Sequence, residues 1–187
     1  MLKPSVQWWE YEDRHSCQEI VEGVFLGPST TTRDSDFLQA QKISHIILAR
    51  SEREKSFLKP RDSPAEIQYH VIDIDDSPIT SCMASFLQFL DLIDSLTKQD
   101  NRVLVVGMTG MNRSAALVAV YVMHRFLFPV DTAIEYMISR RRCVSISQNV
   151  KRQMEEFATA KIAFLSQAVK PDTDSSNRKR RSELVQS

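Results

Sequence analysis

The sequence predicts an α/β sandwich with a central, mostly parallel sheet flanked by helices. Three observations predict it. Short β-prone runs (Ile43 to Leu48, Ile67 to Ile74, Val103 to Val106) alternate with longer segments of helical periodicity, the pattern of strand–helix–strand units. Val103 to Val106 is apolar at every position, as expected of a strand buried on both faces of a parallel sheet. The 187-residue chain is 42% hydrophobic and 26% charged, which suits one ordinary domain with a sizeable core.

The elements follow in order. Residues 1–18 are polar with clustered aromatics, Trp8, Trp9 and Tyr11, and read as an extended lead-in that docks its rings. Glu19 to Gly27 carries short β-prone runs broken by Gly23, which predicts a hairpin and then a turn at Gly27-Pro28. Asp34 to Lys42 reads as a short helix. Ile43 to Leu48 is too short a run for a helix and reads as a buried strand. A polar loop with Pro60 and Pro64 leads to the alternating strand Ile67 to Ile74. From Met83 to Leu96, apolar Phe86, Leu87, Phe89, Leu90, Ile93 and Leu96 recur at helical spacing. Beyond the Val103 to Val106 strand, Gly107 to Arg113 is a glycine-containing turn and Ser114 to Phe126 is helical in pattern. Asp131 to Arg142 reads as a helix with Ile134, Met137 and Ile138 on one face, and Ser147 to about Gln167 as another. Pro171 to Ser187 has little apolar content and no period, so a disordered tail is expected over 169–187, after a domain spanning 19–168.

Charge and composition exclude several functions. The 24 basic residues balance 24 acidic ones, which argues against general nucleic-acid binding. No apolar run approaches the ~20 residues that span a bilayer, and no secretory signal is visible at the N-terminus. Cys17, Cys82 and Cys143 lie far apart, so reduced thiols serving as small apolar filler are expected. No metal or cofactor is expected. His45 and His70 fall in strand patterns and read as structural, and His124 as a surface residue. The run Arg140-Arg141-Arg142 reads as a solvated helix end complementing the dipole. The tail cluster Arg178-Lys179-Arg180-Arg181 resembles a short nuclear localisation signal, giving an expectation of a cytoplasmic protein with access to the nucleus.

The informative segment lies between Val106 and Ser114. The chain has only four glycines, and two of them, Gly107 and Gly110, fall in this one turn. The turn leaves the carboxyl end of the most apolar strand and leads into a helix, which is where open α/β sheets place ligands. Backbone N–H groups of Gly107, Met108, Thr109, Gly110, Met111 and Asn112, added to the helix dipole, can cradle an anion. Arg113 follows with a fork of donors suited to a tetrahedral phosphate, and Ser114 adds a hydroxyl beneath. A dinucleotide site fails on context: Arg113 occupies the third glycine position, and no second strand ending in an acidic residue follows the helix.

The stretch VLVVGMTGMNRSAALVAVYVM resembles the signature loop of dual-specificity phosphatases: His-Cys, five residues with a central glycine, then Arg-Ser or Arg-Thr. EIVEGVFLGP, ISHIIL, DIDDSP and the later RRRC…QMEEF helix resemble the family in order and spacing, over roughly residues 19 to 165. The resemblance implies the cysteine-dependent phosphatase fold. It also implies a departure, because Val106-Gly107 stands where active members have His-Cys, as in pseudophosphatases whose nucleophile position is glycine. The family's chemistry needs a thiolate to attack phosphorus. Neither the Met108 thioether nor Thr109, with no evident general base beside it, replaces one. Asp76 matches the general-acid position, though a solvated turn aspartate beside Pro78 is an equal reading. Arg113 matches the phosphate-gripping arginine. Ser114 matches the hydroxyl that eases loss of the thiolate, and here it is left to tie the loop or cap the helix.

The resemblance therefore implies a monomeric, catalytically inactive homologue. It would bind phosphorylated Ser, Thr or Tyr in protein partners, with mitogen-activated protein kinases as candidates, and neither nucleic acid nor membrane. Two other readings stand beside it: a scaffold with a vestigial cradle, and a residual phosphatase using water or another residue.

Overall fold

The computed structural model describes residues 10–61 and 67–168, with side chains as far as 161. Five strands form one sheet: β1 (Gln18–Val21), β2 (Val24–Pro28), β3 (His45–Arg50), β4 (Gln68–Asp73) and β5 (Val103–Gly107). Their order is β1-β2-β5-β3-β4. β1 and β2 make the expected antiparallel hairpin around Gly23, at φ +76°. All other pairings are parallel, which confirms the predicted class. Parallel strands cannot be joined by a tight hairpin: α1 (Ser35–Ala40) carries the chain from β2 to β3 and α2 (Met83–Thr97) from β4 to β5, while residues 51–67 join the neighbours β3 and β4. After β5 come α3 (Arg113–Phe126), α4 (Val130–Arg140) and α5 (Gln148–Ala168).

β5 is central, and every one of its residues is buried. Alternation splits its side chains between two cores. Val103 and Val105 join the larger core, with Phe86, Phe89 and Ile93 of α2 and Leu117 and Val120 of α3. Leu104 and Val106 join the smaller one, with Leu38 of α1 and with Phe25, Ile46, Leu48 and Leu58. Complete burial of each such side chain contributes about 1.5–3 kcal/mol. That packing fixes where the end of β5 lies, and hence the turn that follows it.

Several boundaries differ from the sequence expectation for visible reasons. β3 runs two residues further, to Arg50, because its ladder with β4 continues to the Arg50–Asp73 pair, which is also a 3.1 Å ion pair. Leu87 of α2 is 51% exposed and Ile138 of α4 42% exposed. Each lies off the face its helix buries, although hydropathy alone put both in the apolar stripe. Tyr11 is 62% exposed; its ring does not dock into the core but carries the Arg14 guanidinium 4.5 Å from its centroid. Trp8, Trp9 and the tail with its basic cluster lie outside the described residues.

His45 and His70 are structural, as expected: Nδ1 of one is 3.1 Å from Nε2 of the other on adjacent strands. Burial lowers both pKa values, and for His70 the neighbouring ring adds to the effect. His124 is more engaged than a surface reading implies. It bonds Asp94 of α2 at 3.2 Å and accepts from Lys161 of α5 at 2.5 Å.

Candidate phosphate-binding loop

The turn from Gly107 to Ser114 sits at the carboxyl end of β5, against the carboxyl ends of β2 and β3. Two glycines shape it for different reasons. Gly110 has φ +67°, and a Cβ there would stand 2.5 Å from the carbonyl oxygen of Gly27 and 2.6 Å from its carbon. A backbone obstacle cannot swing away, so this position requires glycine on both counts. Gly107 has ordinary backbone geometry, and its constraint is local: a Cβ would lie 2.8 Å from Ser114 Oγ and 3.2 Å from Ser114 Cβ. Ser114, 2% exposed, lies close under the place a nucleophile's Cβ would occupy. It does not cap the helix as its sequence position suggests, because α3 begins one residue earlier, at Arg113, with Asn112 as its N-cap residue.

Asn112 does not bond the α3 backbone N–H groups through its side chain. Its amide is used across space: Nδ2 donates to Asp76 Oδ2 at 3.0 Å, and Oδ1 accepts from the Ser147 N–H at 2.9 Å. The first turn of α3 therefore keeps its N–H groups free of a side-chain cap, the arrangement that favours an external anion. Asp76 is exposed but tethered. Its backbone oxygen also accepts from Asn149 Nδ2 of α5 at 2.7 Å. Gln153, one turn further along α5, holds the same loop by accepting from Cys82 N–H and donating to the Thr80 oxygen. Asp76, which the resemblance sets at the general-acid position, thus lies against the loop.

Two residues missed from the sequence support the turn. Glu54, 7% exposed, accepts from Arg113 Nη2 through Oε1 at 2.5 Å and from the Ser51 N–H through Oε2 at 2.7 Å. The pair is 17% and 9% exposed at its side chains, so a nearly buried carboxylate holds the guanidinium through Nη2. Ser51-Glu-Arg-Glu54 is a capping-box signature, visible in the sequence as a turn but silent about its arginine partner.

Arg141 is the second, and it corrects the reading of Arg140–Arg142 as a solvated helix end. It is 1% exposed. Nε donates to the Gly110 oxygen at 3.1 Å and Nη2 to the Thr109 oxygen at 3.1 Å. Nη1 donates to the Ser16 oxygen at 2.5 Å and also to Gln18 Oε1. One buried cation thus ties the carbonyl side of the turn to the N-terminal segment. Because a trans peptide's N–H points opposite its carbonyl, holding the Thr109 and Gly110 oxygens directs the Gly110 and Met111 N–H groups away from Arg141. Burial pulls the Arg141 pKa down, opposed by Cys143, Cys17 and Asp13. Met111 is anchored too, its oxygen accepting from the Ser145 N–H at 2.9 Å.

None of the three thiols is poised as a thiolate. Burial pushes the Cys17 thiol up to about 12, against the pull of Arg141. Cys82 is pushed up to about 11 by burial and by Asp75 and Asp76, and Cys143 is raised by burial. All three would be protonated at neutral pH. Cys82 and Cys143 are buried, and Cys17 is partly so.

This geometry has clear counterparts among known proteins. Residues 24–160 match the family model described as dual specificity phosphatase, catalytic domain. The chain belongs to the dual-specificity phosphatase family. Within it, the chain is 33% identical to the serine/threonine/tyrosine-interacting protein B of Xenopus laevis over 168 residues, 89% of this chain and 75% of that protein. It is 33% identical to the human serine/threonine/tyrosine-interacting protein over 166 residues, 88% of this chain and 74% of that one. The crystal structure of the human tyrosine phosphatase-like serine/threonine/tyrosine-interacting protein superposes with a TM-score of 0.73 at 32% identity, covering 79% of this chain and 99% of that one. This member of the dual-specificity phosphatase family carries Gly107, not Cys, at the foot of its signature loop.

Proposed function

We propose that this domain binds phosphorylated Ser, Thr or Tyr side chains of protein partners without hydrolysing them, and regulates signalling by competition or anchoring. One observation carries the reading. The loop keeps the parts that hold an anion, namely the left-handed Gly110, the uncapped first turn of α3 and the braced Arg113, while the position of attack is Gly107. Glycine offers no electron pair to phosphorus, and loss of a sole nucleophile costs on the order of a million-fold. Replacing a thiolate by hydrogen also removes a negative charge from the floor, so repulsion against a phosphate dianion falls. Gly107 through Ser114 form the binding loop in this proposal, and Asp76 has no leaving group to protonate. Mitogen-activated protein kinases are the partners suggested by the family resemblance. Cytoplasm and nucleus are the proposed compartments, the tail cluster supporting the second.

The test is calorimetry with a phosphotyrosine peptide and a phosphothreonine–phosphotyrosine peptide, on the wild type, Arg113→Ala and Arg113→Lys. Losing a charged hydrogen bond costs about 1.5–3 kcal/mol, so Arg113→Ala should bind at least about tenfold more weakly. Arg113→Lys keeps the charge opposite Glu54 but loses the fork, and should recover only part of the affinity. Wild-type binding that neither variant weakens would move the partner surface elsewhere and favour a scaffold.

A further inference from the structure

The phosphate loop lies at the amino end of α3. At the carboxyl end of that 14-residue helix, about 20 Å away, lies an opening of about 270 Å³ that the loop does not use. Its walls are apolar: Val120 and Met123 of α3, the adjoining Leu127 and Phe128, and Phe157 and Ala158 of α5. Leu127 ends α3 in the left-handed conformation, at φ +57°, which is unfavourable for a residue with a Cβ. It stands at the rim of the opening and is 85% exposed. A strained backbone that holds an apolar side chain in water points to a functional rim rather than to packing.

Two polar side chains, His124 and Lys161, interrupt the apolar lining, and they are joined. Lys161 Nζ lies 2.5 Å from His124 Nδ1, and His124 Nε2 lies 3.2 Å from Asp94 Oδ2. The line crosses three helices, from α5 through α3 to α2. A single proton lies between Nζ and Nδ1, because two N–H donors cannot face each other at that distance. On the far side of the ring, Nε2–H donates to the Asp94 carboxylate. The imidazole is thus placed to take a proton from Lys161, with Asp94 stabilising the cation that results. Lys161 has no carboxylate at ion-pair distance among the described residues, whereas Lys55 and Lys151 are paired. Burial lowers the Lys161 pKa from the usual lysine value, against the pull of Asp94.

We infer that Lys161 is a modification site, whose amine takes an apolar acyl group from an acyl thioester, with the acyl chain lying in the opening. The inference is independent of phosphopeptide binding. Lys161 passes one ammonium proton to His124 Nδ1, which frees the electron pair on Nζ. That pair attacks the thioester carbonyl carbon, the C–N bond forms and the C–S bond breaks. A second proton from the nitrogen goes to the departing thiolate. The products are an amide at Lys161, a free thiol and an imidazolium that returns its proton to water. The amide carries no charge, which suits a nitrogen beside apolar walls. A water occupies ~30 Å³ of liquid and a methylene is of similar size, so the opening has room for a chain of about eight carbons.

The experiment treats the full chain with the octanoyl and the acetyl thioester of N-acetylcysteamine and follows each lysine by peptide mass spectrometry. Exposed Lys42 and Lys98 serve as references within the same molecule. Wild type is compared with His124→Gln and with Ala158→Leu, which fills the opening and leaves the amine and its partners in place. In the wild type, Lys161 should be octanoylated at least about tenfold faster than either reference. Its octanoyl-to-acetyl ratio should exceed theirs by about tenfold. His124→Gln should lower the Lys161 rate by about tenfold with both donors and keep the ratio. Ala158→Leu should bring the ratio to within about threefold of the references while the acetyl rate holds. Lys161 reacting no faster than the references, His124→Gln matching wild type, or a ratio that Ala158→Leu leaves unchanged each overturn the site. None of these outcomes bears on the loop at the other end of α3.

Discussion

The loop and its supports are two regions of one site built by opposite logics. Gly107 to Ser114 is contiguous, and its conformational demands are written in its own residues: Gly110 must be glycine, and Gly107 leaves room for Ser114. The supports, Glu54, Asp76, Arg141 and Asn149, come from four other segments. Apart from Asp76, which the family resemblance singles out, each is an unremarkable polar residue where it stands in the chain. The difference teaches that a loop can be recognised locally while its supports are supplied from a distance.

The largest effect should come from the supports. Arg141→Met removes the donors that satisfy the carbonyls of Thr109, Gly110 and Ser16. An unpaired buried acceptor costs about 1–3 kcal/mol; the Gly110 bond is buried and the Thr109 and Ser16 bonds are partly so, so the domain should lose roughly 2 kcal/mol or more in urea melts. A variant as stable as wild type would show that water fills the place and the brace is ornamental. Next comes the loop itself. Gly110→Ala adds an unfavourable left-handed residue, about 1–2 kcal/mol, and a collision with the Gly27 backbone. The turn should shift, and phosphopeptide affinity should fall more than global stability does. Thermal melts and anisotropy on the same sample measure the two together.

Gly107→Cys is smaller in stability and sharper in chemistry. The new Cβ must displace the Ser114 side chain, an overpacking cost of about 1–3 kcal/mol. At the amino end of α3 the thiol should ionise readily, so slow hydrolysis of an aryl phosphate, blocked by iodoacetate, is expected. Activity should stay partial, because Val106 stands where active members have histidine. Complete inactivity with the fold retained would argue that the loop no longer presents a nucleophile in line with phosphorus.

The smallest effect lies away from the site and sets a baseline. His45 and His70 have folded-state pKa values lowered from 6.5, so the unfolded chain binds more protons just below that pH. Their neutral pairing contributes stability that is present above pH 6.5 and is lost as pH falls through the folded values. His70→Gln should flatten the dependence of Tm on pH between about 5 and 7. An unchanged slope would mean that the pair is not the acid-sensitive element.

Much of this was legible beforehand because it depends on periodicity. The apolar run at β5 and the helical spacing of α2 report burial directly, since each residue's environment follows from its neighbours along the chain. Leu87 and Ile138 show the limit: hydropathy named them as core, but which helix face meets the sheet is settled by packing. Glu54 was half legible, its capping box announcing a turn and not a partner. Arg141 was not legible at all, since three consecutive arginines are indistinguishable until the chain folds one inward.

By itself, then, the sequence determined the class of fold, the place of the loop and the absence of a thiol at its floor, because these depend on residue type and spacing along one strand–turn–helix unit. Only the tertiary structure decided that Arg113 is braced by Glu54, that Arg141 is buried under the turn, and that Asp94, His124 and Lys161 line up across three helices. Those facts join residues up to about a hundred and thirty positions apart. Which distant polar groups meet is set by the packing of the sheet and helices, since burial forces each group to find a partner wherever the fold places one.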